Sequence, residues 1–171
     1  MDTIIDIYYK ENNEILKYFE EQNEVSFRND ADNKLKKILL LYIASYFEKE
    51  ISELITDYVN HTSGSAMILS FVQNKAIKRQ YHTYFTWDGN NANSFFSMFG
   101  QDFKQIATKE IKEKDLESPI KSFLELGSLR NSMVHQNAGS FVIEKTTAEI
   151  YETYKEALKF LLYLREKFKI E

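Results

Sequence analysis

Proline and glycine, the residues that most often interrupt helices, are scarce in this chain: 171 residues include one proline and five glycines. Proline lacks a backbone N–H and clashes with the preceding turn, and glycine weakens a helix through its backbone entropy. Thirteen phenylalanines and eleven tyrosines can fill a core between long helices. The length is typical of one domain. We therefore expect residues 1–171 to form a single all-α domain, a bundle of four long helices with short helical insertions.

Hydrophobic periodicity predicts the first two long helices. The first is expected over about residues 3–22, with an inward stripe of Ile4, Ile7, Tyr8, Ile15 and Phe19. A polar joint over residues 26–30 should lead to a second helix over about residues 32–59. The second half of that helix has one apolar face, formed by Phe47, Ile51, Leu54, Ile55 and Tyr58. Its first half, residues 38–43, is apolar on every side and is expected to be the most buried part of the fold.

Capping and turn residues predict the remaining elements. Ser118 followed by Pro119 indicates the start of a third long helix that ends near His135. Thr146 and Glu149 form a capping box for a last helix that reaches about residue 167. Residues 87–91 are typical of a turn. Shorter helices are expected over about residues 66–75, 77–84, 94–99 and 104–114.

The composition excludes several classes of function. Without cysteine, the chain has no disulfide, thiolate nucleophile or thiolate zinc site, which suits a reducing compartment. Three scattered histidines and unclustered acidic residues indicate no metal site, and no motif indicates a cofactor. The N-terminus lacks the regions of a signal peptide, and no apolar run is long enough to span a bilayer. We expect a cytoplasmic protein with no membrane partner, metal or cofactor.

The net charge of −4 limits the way in which the chain can bind nucleic acid. Neutralisation of phosphates supplies most non-specific affinity, so an acidic protein would need a local basic patch. The densest basic cluster contains Lys75, Lys78 and Arg79, next to aromatic side chains and a second histidine, a combination that suits single-stranded RNA. Alternatively, this segment is a helix whose basic side chains are solvated and bind nothing. Its aromatic residues would then be part of the core, namely Tyr81, Tyr84 and Phe85.

The third long helix carries polar residues on its apolar side. On a wheel of about 100° per residue, Arg130 and Asn131 point into the apolar arc and His135 lies at its edge. Burying a guanidinium or an amide without partners costs several kcal/mol. These side chains must therefore be paired inside the fold, covered by another subunit or exposed to a cleft. An arginine and a histidine at this spacing also arise by chance, and many buried arginines only tie helices together.

Glu48 is a candidate partner for that arginine. It lies at the margin of the apolar face of the second helix, where a carboxylate would favour a cation, and Arg130 is the natural candidate. The alternative is a solvated glutamate in an acidic run with Glu50 and Glu53. A helical bundle in which Arg130 does nothing more than pair with Glu48 is a further possibility.

The segment from Leu129 to His135 resembles the signature of the HEPN superfamily, in which an arginine is commonly followed by a polar residue and, after four to six residues, by a histidine. Residues 45–48, Ser-Tyr-Phe-Glu, resemble the acidic element that many members place near the arginine. Residues 70–72 and 93–100 are similar to segments of the RiboL-PSP-HEPN subgroup. The resemblance covers roughly the whole chain and implies a HEPN-like fold.

The resemblance also implies an activity, namely metal-independent RNA cleavage by a homodimer in which two motifs meet across a two-fold interface. Arg130 would bind the scissile phosphate, and His135 would exchange protons with the ribose 2′-hydroxyl or the leaving 5′-oxygen. Asn131 would orient the histidine or a phosphate oxygen, and Glu48 would be a supporting acidic residue. The expected protein is an endoribonuclease, a toxin or phage-defence effector with an RNA substrate and an antitoxin or regulatory partner.

A different class of function fits the same resemblance: a catalytically inactive HEPN domain that serves as an RNA-binding or protein-interaction module. The complete set of Arg130, Asn131 and His135 favours the enzyme, because a scaffold does not need the histidine. Some members carry, two residues after the histidine, a tyrosine that a partner nucleotidyltransferase modifies. This chain has Asn137 there, so control by that modification is not expected.

Overall fold

The computed structural model describes residues 2–169. Its elements, in chain order, are α1 (Ile4–Glu21), α2 (Val25–Ser63), α3 (Ala66–Val72), a π-helical turn (Gln73–Ile77), α4 (Tyr81–Tyr84), α5 (Asn93–Ser97), α6 (Gln101–Glu113), α7 (Glu117–His135) and α8 (Thr147–Lys167). The predicted all-α bundle with short insertions is confirmed: α1, α2, α7 and α8 are the four long helices. Met1, Ile170 and Glu171 of the predicted domain lie outside the described residues. Within residues 2–169, no helix has the length and apolar character needed to cross a membrane.

Local side-chain chemistry explains several helix ends. The predicted capping box begins α8: the Thr146 N–H donates to the Glu149 carboxylate at 2.7 Å, and the Thr146 hydroxyl accepts from the Glu149 N–H at 3.2 Å. Gly64 ends α2 with φ of +59°, a left-handed conformation that glycine adopts without strain.

Several boundaries differ from the prediction, and the helix expected over about residues 77–84 is confined to Tyr81–Tyr84. The polar joint over residues 26–30 is wrong, because these residues lie inside α2 and the chain turns at Asn23, whose φ is +57°; asparagine tolerates this conformation better than most residues. α7 begins at Glu117, so Ser118 is not its cap. Pro119 is accepted in the first turn because the N–H groups there have no partner within the helix. Finally, residues 73–77 form a π-helical turn where the end of an α-helix is predicted.

The core lies between α2, α7 and α8. Leu39, Leu40 and Ile43 of α2 are fully buried there, as the apolar run over residues 38–43 predicts. The same run is not buried on every side, since Ile38, Leu41 and Tyr42 are exposed. Neighbouring helices cover only part of the circumference of α2, so the rest of its apolar surface faces outward.

A buried carboxylate sets the orientation of α1. Asp6 is 3% exposed and accepts hydrogen bonds from the Tyr151 hydroxyl at 2.7 Å and the Lys155 ammonium at 3.2 Å, both in α8, and from the Thr3 N–H at 2.7 Å. Burial alone would raise the pKa of Asp6, but these hydrogen bonds lower it below its ordinary value. The predicted inward stripe is wrong for Ile4, Ile7 and Ile15, which are exposed, because the bonds of Asp6 turn the adjacent side of α1 towards α8.

The segment between α2 and α7 packs on the core through aromatic rings. Phe85 stacks on Phe95 with ring centroids 4.9 Å apart, and it meets Phe123 of α7 edge-on at 4.8 Å. Such pairs contribute beyond the area that they bury. The rings therefore hold this segment against α7.

Trp87 packs against Gly127 of α7 and so attaches the same segment to that helix. A Cβ atom built on Gly127 would lie 2.2 Å from the indole ring, so only glycine lets the ring rest directly on the helix. The indole N–H donates to the carbonyl oxygen of His82 at 2.9 Å. Trp87 thereby fixes the backbone at His82 relative to α7.

Candidate active site

A cavity of about 520 Å³ lies between α2, α7 and the segment over residues 79–87. Its apolar base includes Phe47, Phe123 and Leu126, all of which are buried. Polar side chains face it from all three elements: Glu48 from α2, Arg79, Tyr81 and His82 from the segment, and Arg130, Asn131 and His135 from α7. A concave site with an apolar base and a few convergent polar groups is the usual form of a ligand-binding or active site.

The three residues predicted on α7 all line this cavity. Arg130 is half-buried, and its guanidinium Nη1 donates to the side-chain oxygen of Asn131 at 3.1 Å. Asn131 therefore orients the arginine in this structure, whereas the family resemblance assigns it to the histidine or to a phosphate oxygen. His135 is the last residue of α7 and is exposed at the edge of the cavity.

Glu48 faces the cavity but does not pair with Arg130. Over the described range 2–169, neither side chain has an oppositely charged group within 4.0 Å, so the direct ion pair suggested by the sequence is not formed. The charges of Glu48 and Arg130 both influence the pKa of Tyr81. Burial raises the pKa of its hydroxyl well above the ordinary value; the Glu48 carboxylate raises it further, and Arg130 opposes the change. The Tyr81 hydroxyl therefore stays neutral under the influence of the Glu48 carboxylate and the Arg130 guanidinium.

The basic cluster predicted to contact RNA divides into two parts. Arg79 lines the cavity, while Lys75 and Lys78 are exposed outside its lining. Tyr81, His82 and Trp87 also line the cavity and are not among the predicted site residues, although the second histidine belongs to the predicted basic and aromatic cluster. Trp87 lies in a stretch that is typical of a turn, and its sequence neighbours do not indicate that it packs on Gly127. The aromatic residues around His82 are the signal that could have indicated it.

Comparison of the sequence with known proteins identifies the family of this chain. The family model described as RiboL-PSP-HEPN matches residues 6–169, nearly the whole chain. The chain belongs to the RiboL-PSP-HEPN family. Comparison with curated proteins and with solved structures found no match. RiboL-PSP-HEPN is a HEPN-type family; such domains are generally associated with ribonucleases, often dimerise and bind RNA, and some are inactive. Membership confirms the resemblance of the sequence and supports a HEPN-type nuclease or RNA-related module.

The cavity of this RiboL-PSP-HEPN protein contains groups suited to phosphodiester chemistry. Guanidiniums bind phosphate oxygens through paired N–H groups, and imidazoles exchange protons near neutral pH. Elsewhere in the described chain, as in the cavity, no three His, Asp or Glu side chains come together as a potential metal site. The groups that the cavity offers are two guanidiniums, two imidazoles, a carboxylate, a phenol and an amide.

Proposed function

We propose that this protein is an endoribonuclease that cleaves RNA without a metal ion and acts as a homodimer. The observation that carries the proposal is the convergence of Arg130, Asn131, His135 and Glu48 on one open cavity. Partly burying a guanidinium without a carboxylate partner is costly, and a phosphate group bound in the cavity would offset that cost. We further propose a role as a toxin or phage-defence effector, held in check by an antitoxin or another regulatory partner.

The proposed reaction is a transesterification at phosphorus. A neutral base takes the proton of the ribose 2′-hydroxyl, the 2′-oxygen bonds to phosphorus, and the bond from phosphorus to the 5′-oxygen breaks as an acid gives that oxygen a proton. The products are a 2′,3′-cyclic phosphate and a 5′-hydroxyl. His135 supplies one of the two proton-transferring groups. Arg130 neutralises the phosphate, and its bond to Asn131 holds the guanidinium in place.

An exposed apolar strip supports the homodimer. It consists of Ile38, Leu41 and Tyr42 of α2, which are 39%, 40% and 48% exposed, and Val134 of α7, which is 47% exposed. Adjacent apolar side chains at this exposure are typical of a surface that a partner covers. A second copy is the partner we propose, because two-fold pairing brings identical surfaces together.

The strip lies beside the cavity. The Lys37 ammonium binds the carbonyl oxygens of residues 138–139, and the Phe47 ring packs on the N-terminal half of α7, so α2 and α7 run antiparallel. This arrangement brings Leu41 level with Val134, one helical turn beyond Arg130. A second copy seated on the strip would place its own cavity next to this one.

One observation favours the non-catalytic alternative, an RNA-binding or protein-interaction module. The His135 ring forms no hydrogen bond with any part of the described chain, whereas a catalytic imidazole is commonly oriented by a partner at its second nitrogen. In this alternative the cavity binds RNA or a protein segment and leaves it intact. The two functions therefore differ in whether bound RNA is cleaved.

The purified protein is expected to cleave single-stranded RNA in the presence of EDTA, because its cavity contains the proton-transferring and phosphate-binding groups without a metal. Denaturing gels measure cleavage, and labelling with a polynucleotide kinase identifies the new 5′-hydroxyl ends. RNA of the same sequence with 2′-O-methyl riboses is the matched control and should stay intact, because its 2′-oxygen cannot attack. RNA that is bound but not cleaved would support the inactive module instead.

Replacing Leu41 by lysine is expected to shift the protein from dimer to monomer, because a charge would be buried in the centre of the apolar strip. Sedimentation equilibrium measures the change, expected as a dimer dissociation constant at least about 100-fold higher. The matched control is Leu162→Lys on α8, since Leu162 is also exposed, at 57%, and does not line the cavity. Equal dimerisation of the two variants would exclude the strip as the interface.

A further inference from the structure

The cavity holds a second cation and a second imidazole from the same chain. Arg79 and His82 face it from the segment before α4 and from α4 itself, while Arg130 and His135 face it from α7. Over residues 2–169, the His82 ring forms no hydrogen bond and Arg79 forms no ion pair. Neither side chain is therefore needed to hold the described fold together. Both are exposed and can be reached by a ligand.

The backbone that presents these two residues is unusual. Arg79 has φ of +63°, a left-handed conformation that is unfavourable for a residue with a side chain. The π-helical turn Gln73–Ile77 lies just before it. Strained left-handed residues and π-helical turns both concentrate at functional sites. Here they reverse the chain between α3 and α4 and bring Arg79 and His82 to the cavity.

The position of His82 relative to α7 is also fixed. Its carbonyl oxygen accepts the indole N–H of Trp87 at 2.9 Å, and the indole ring rests on Gly127, one turn before Arg130 and Asn131. A flexible surface histidine would not have this brace. The brace connects the segment that carries His82 directly to the helix that carries His135.

We propose that His82 is the second proton-transferring residue of the cleavage reaction and that Arg79 binds the phosphate group beside it. This inference rests on the proposed ribonuclease function and names the groups that complete its site. One of His82 and His135 takes the 2′-hydroxyl proton as the 2′-oxygen bonds to phosphorus. The other gives a proton to the departing 5′-oxygen, and exchange with water restores both imidazoles.

The charged and titratable groups around these imidazoles come from every wall of the cavity. They are Glu48 of α2, Arg79 and Tyr81 of the segment over residues 79–87, and Arg130 of α7. Both imidazoles therefore share the cavity with two guanidiniums, one carboxylate and one phenol.

The first test compares the three histidines as single glutamine variants of the full chain. His82→Gln and His135→Gln should each lower the rate of RNA cleavage by about 100-fold or more, and each should lose one side of a bell-shaped pH–rate profile. His61→Gln should retain full activity, because His61 lies at the end of α2 and outside the cavity. Full activity of His82→Gln beside an inactive His135→Gln overturns this inference alone. A wild-type protein that cleaves no RNA overturns the ribonuclease proposal and this inference with it.

The second test separates the acid from the base. An RNA with sulfur in place of the leaving 5′-oxygen needs no protonation of the leaving group, because a thiolate departs readily. Only one of the two variants, His82→Gln or His135→Gln, should regain activity on this substrate. Rescue of both variants, or of neither, would overturn the division of roles between the two imidazoles.

Arg79→Asn tests the phosphate-binding role. Asparagine tolerates the left-handed conformation better than arginine, so the variant should melt at the same temperature as wild type or higher, while its KM for RNA rises at least about 10-fold. The matched control is Arg28→Asn, which removes an arginine that does not line the cavity. Equal KM values for the two variants would overturn the role of Arg79.

Discussion

Replacing either Arg130 or His135 by alanine is expected to lower RNA cleavage by about 1,000-fold or more. The first change removes the charge that neutralises the phosphate, and the second removes a proton-transferring group. Neither change should unfold the protein. The His135 ring is exposed and forms no hydrogen bond within residues 2–169, and the Arg130 side chain forms one, to Asn131. A single hydrogen bond contributes about 1 kcal/mol to the free energy of unfolding.

The measurement is the initial rate of cleavage in EDTA, together with melting temperature and sedimentation of each variant. Matched controls come from residues outside the cavity: His61→Ala for the histidine and Arg28→Ala for the arginine. Both controls should cleave RNA at the wild-type rate. If His135→Ala cleaves as fast as the wild type, His135 has no catalytic role and the proposed function is wrong.

Replacing Asp6 by alanine is expected to lower the free energy of unfolding by about 3 kcal/mol, which corresponds to a melting temperature about 6–12 °C lower. The change leaves the Tyr151 hydroxyl and the Lys155 ammonium without their acceptor, and it also removes the capping box of α1. The matched control is Asp2→Ala. Asp2 forms an exposed ion pair with Lys10, and loss of such a pair should change stability by less than about 1 kcal/mol.

The effect of Asp6 should depend on pH in a defined direction. Burial alone would raise the pKa of this carboxyl, but its hydrogen bonds lower it below the ordinary value of 3.8. A carboxyl with a lowered pKa in the folded state stabilises the protein above its unfolded pKa and loses that contribution as the pH falls. The stability difference between wild type and Asp6→Ala should therefore be constant above about pH 5 and shrink below about pH 4. Urea unfolding at several pH values measures it. A difference that grows at low pH would contradict the hydrogen-bonding role of Asp6.

Helical periodicity was sufficient to predict the part of the cavity that comes from α7. Arg130, Asn131 and His135 lie on one helix, so the wheel alone places them near one another, and the structure brings all three to one cavity. Glu48 is predicted to face the same space from its position on α2, and it does. Its expected ion pair with Arg130 is not formed, because a wheel gives the direction of a side chain and not the distance between two helices.

The rest of the cavity depends on contacts that no local pattern describes. His82 reaches the cavity only because Arg79 adopts a left-handed conformation and Trp87 rests on Gly127, which is forty residues further along the chain. The inward face of α1 was predicted wrongly for the same reason, because it depends on contacts with residues far along the chain. Counting apolar residues assigns Asp6 to the solvent side, whereas partners in α8, nearly 150 residues away, bury it.

Trp87 has a practical consequence, since it is the single tryptophan of the chain and forms part of the cavity wall. Almost all of the protein's intrinsic fluorescence above the tyrosine emission range must therefore come from this one ring. Indole emission shifts in wavelength and intensity when water around the ring is displaced. Titrating the unlabelled protein with an oligonucleotide would thus give an optical readout of cavity occupancy, without a dye and without any cleavage of the oligonucleotide.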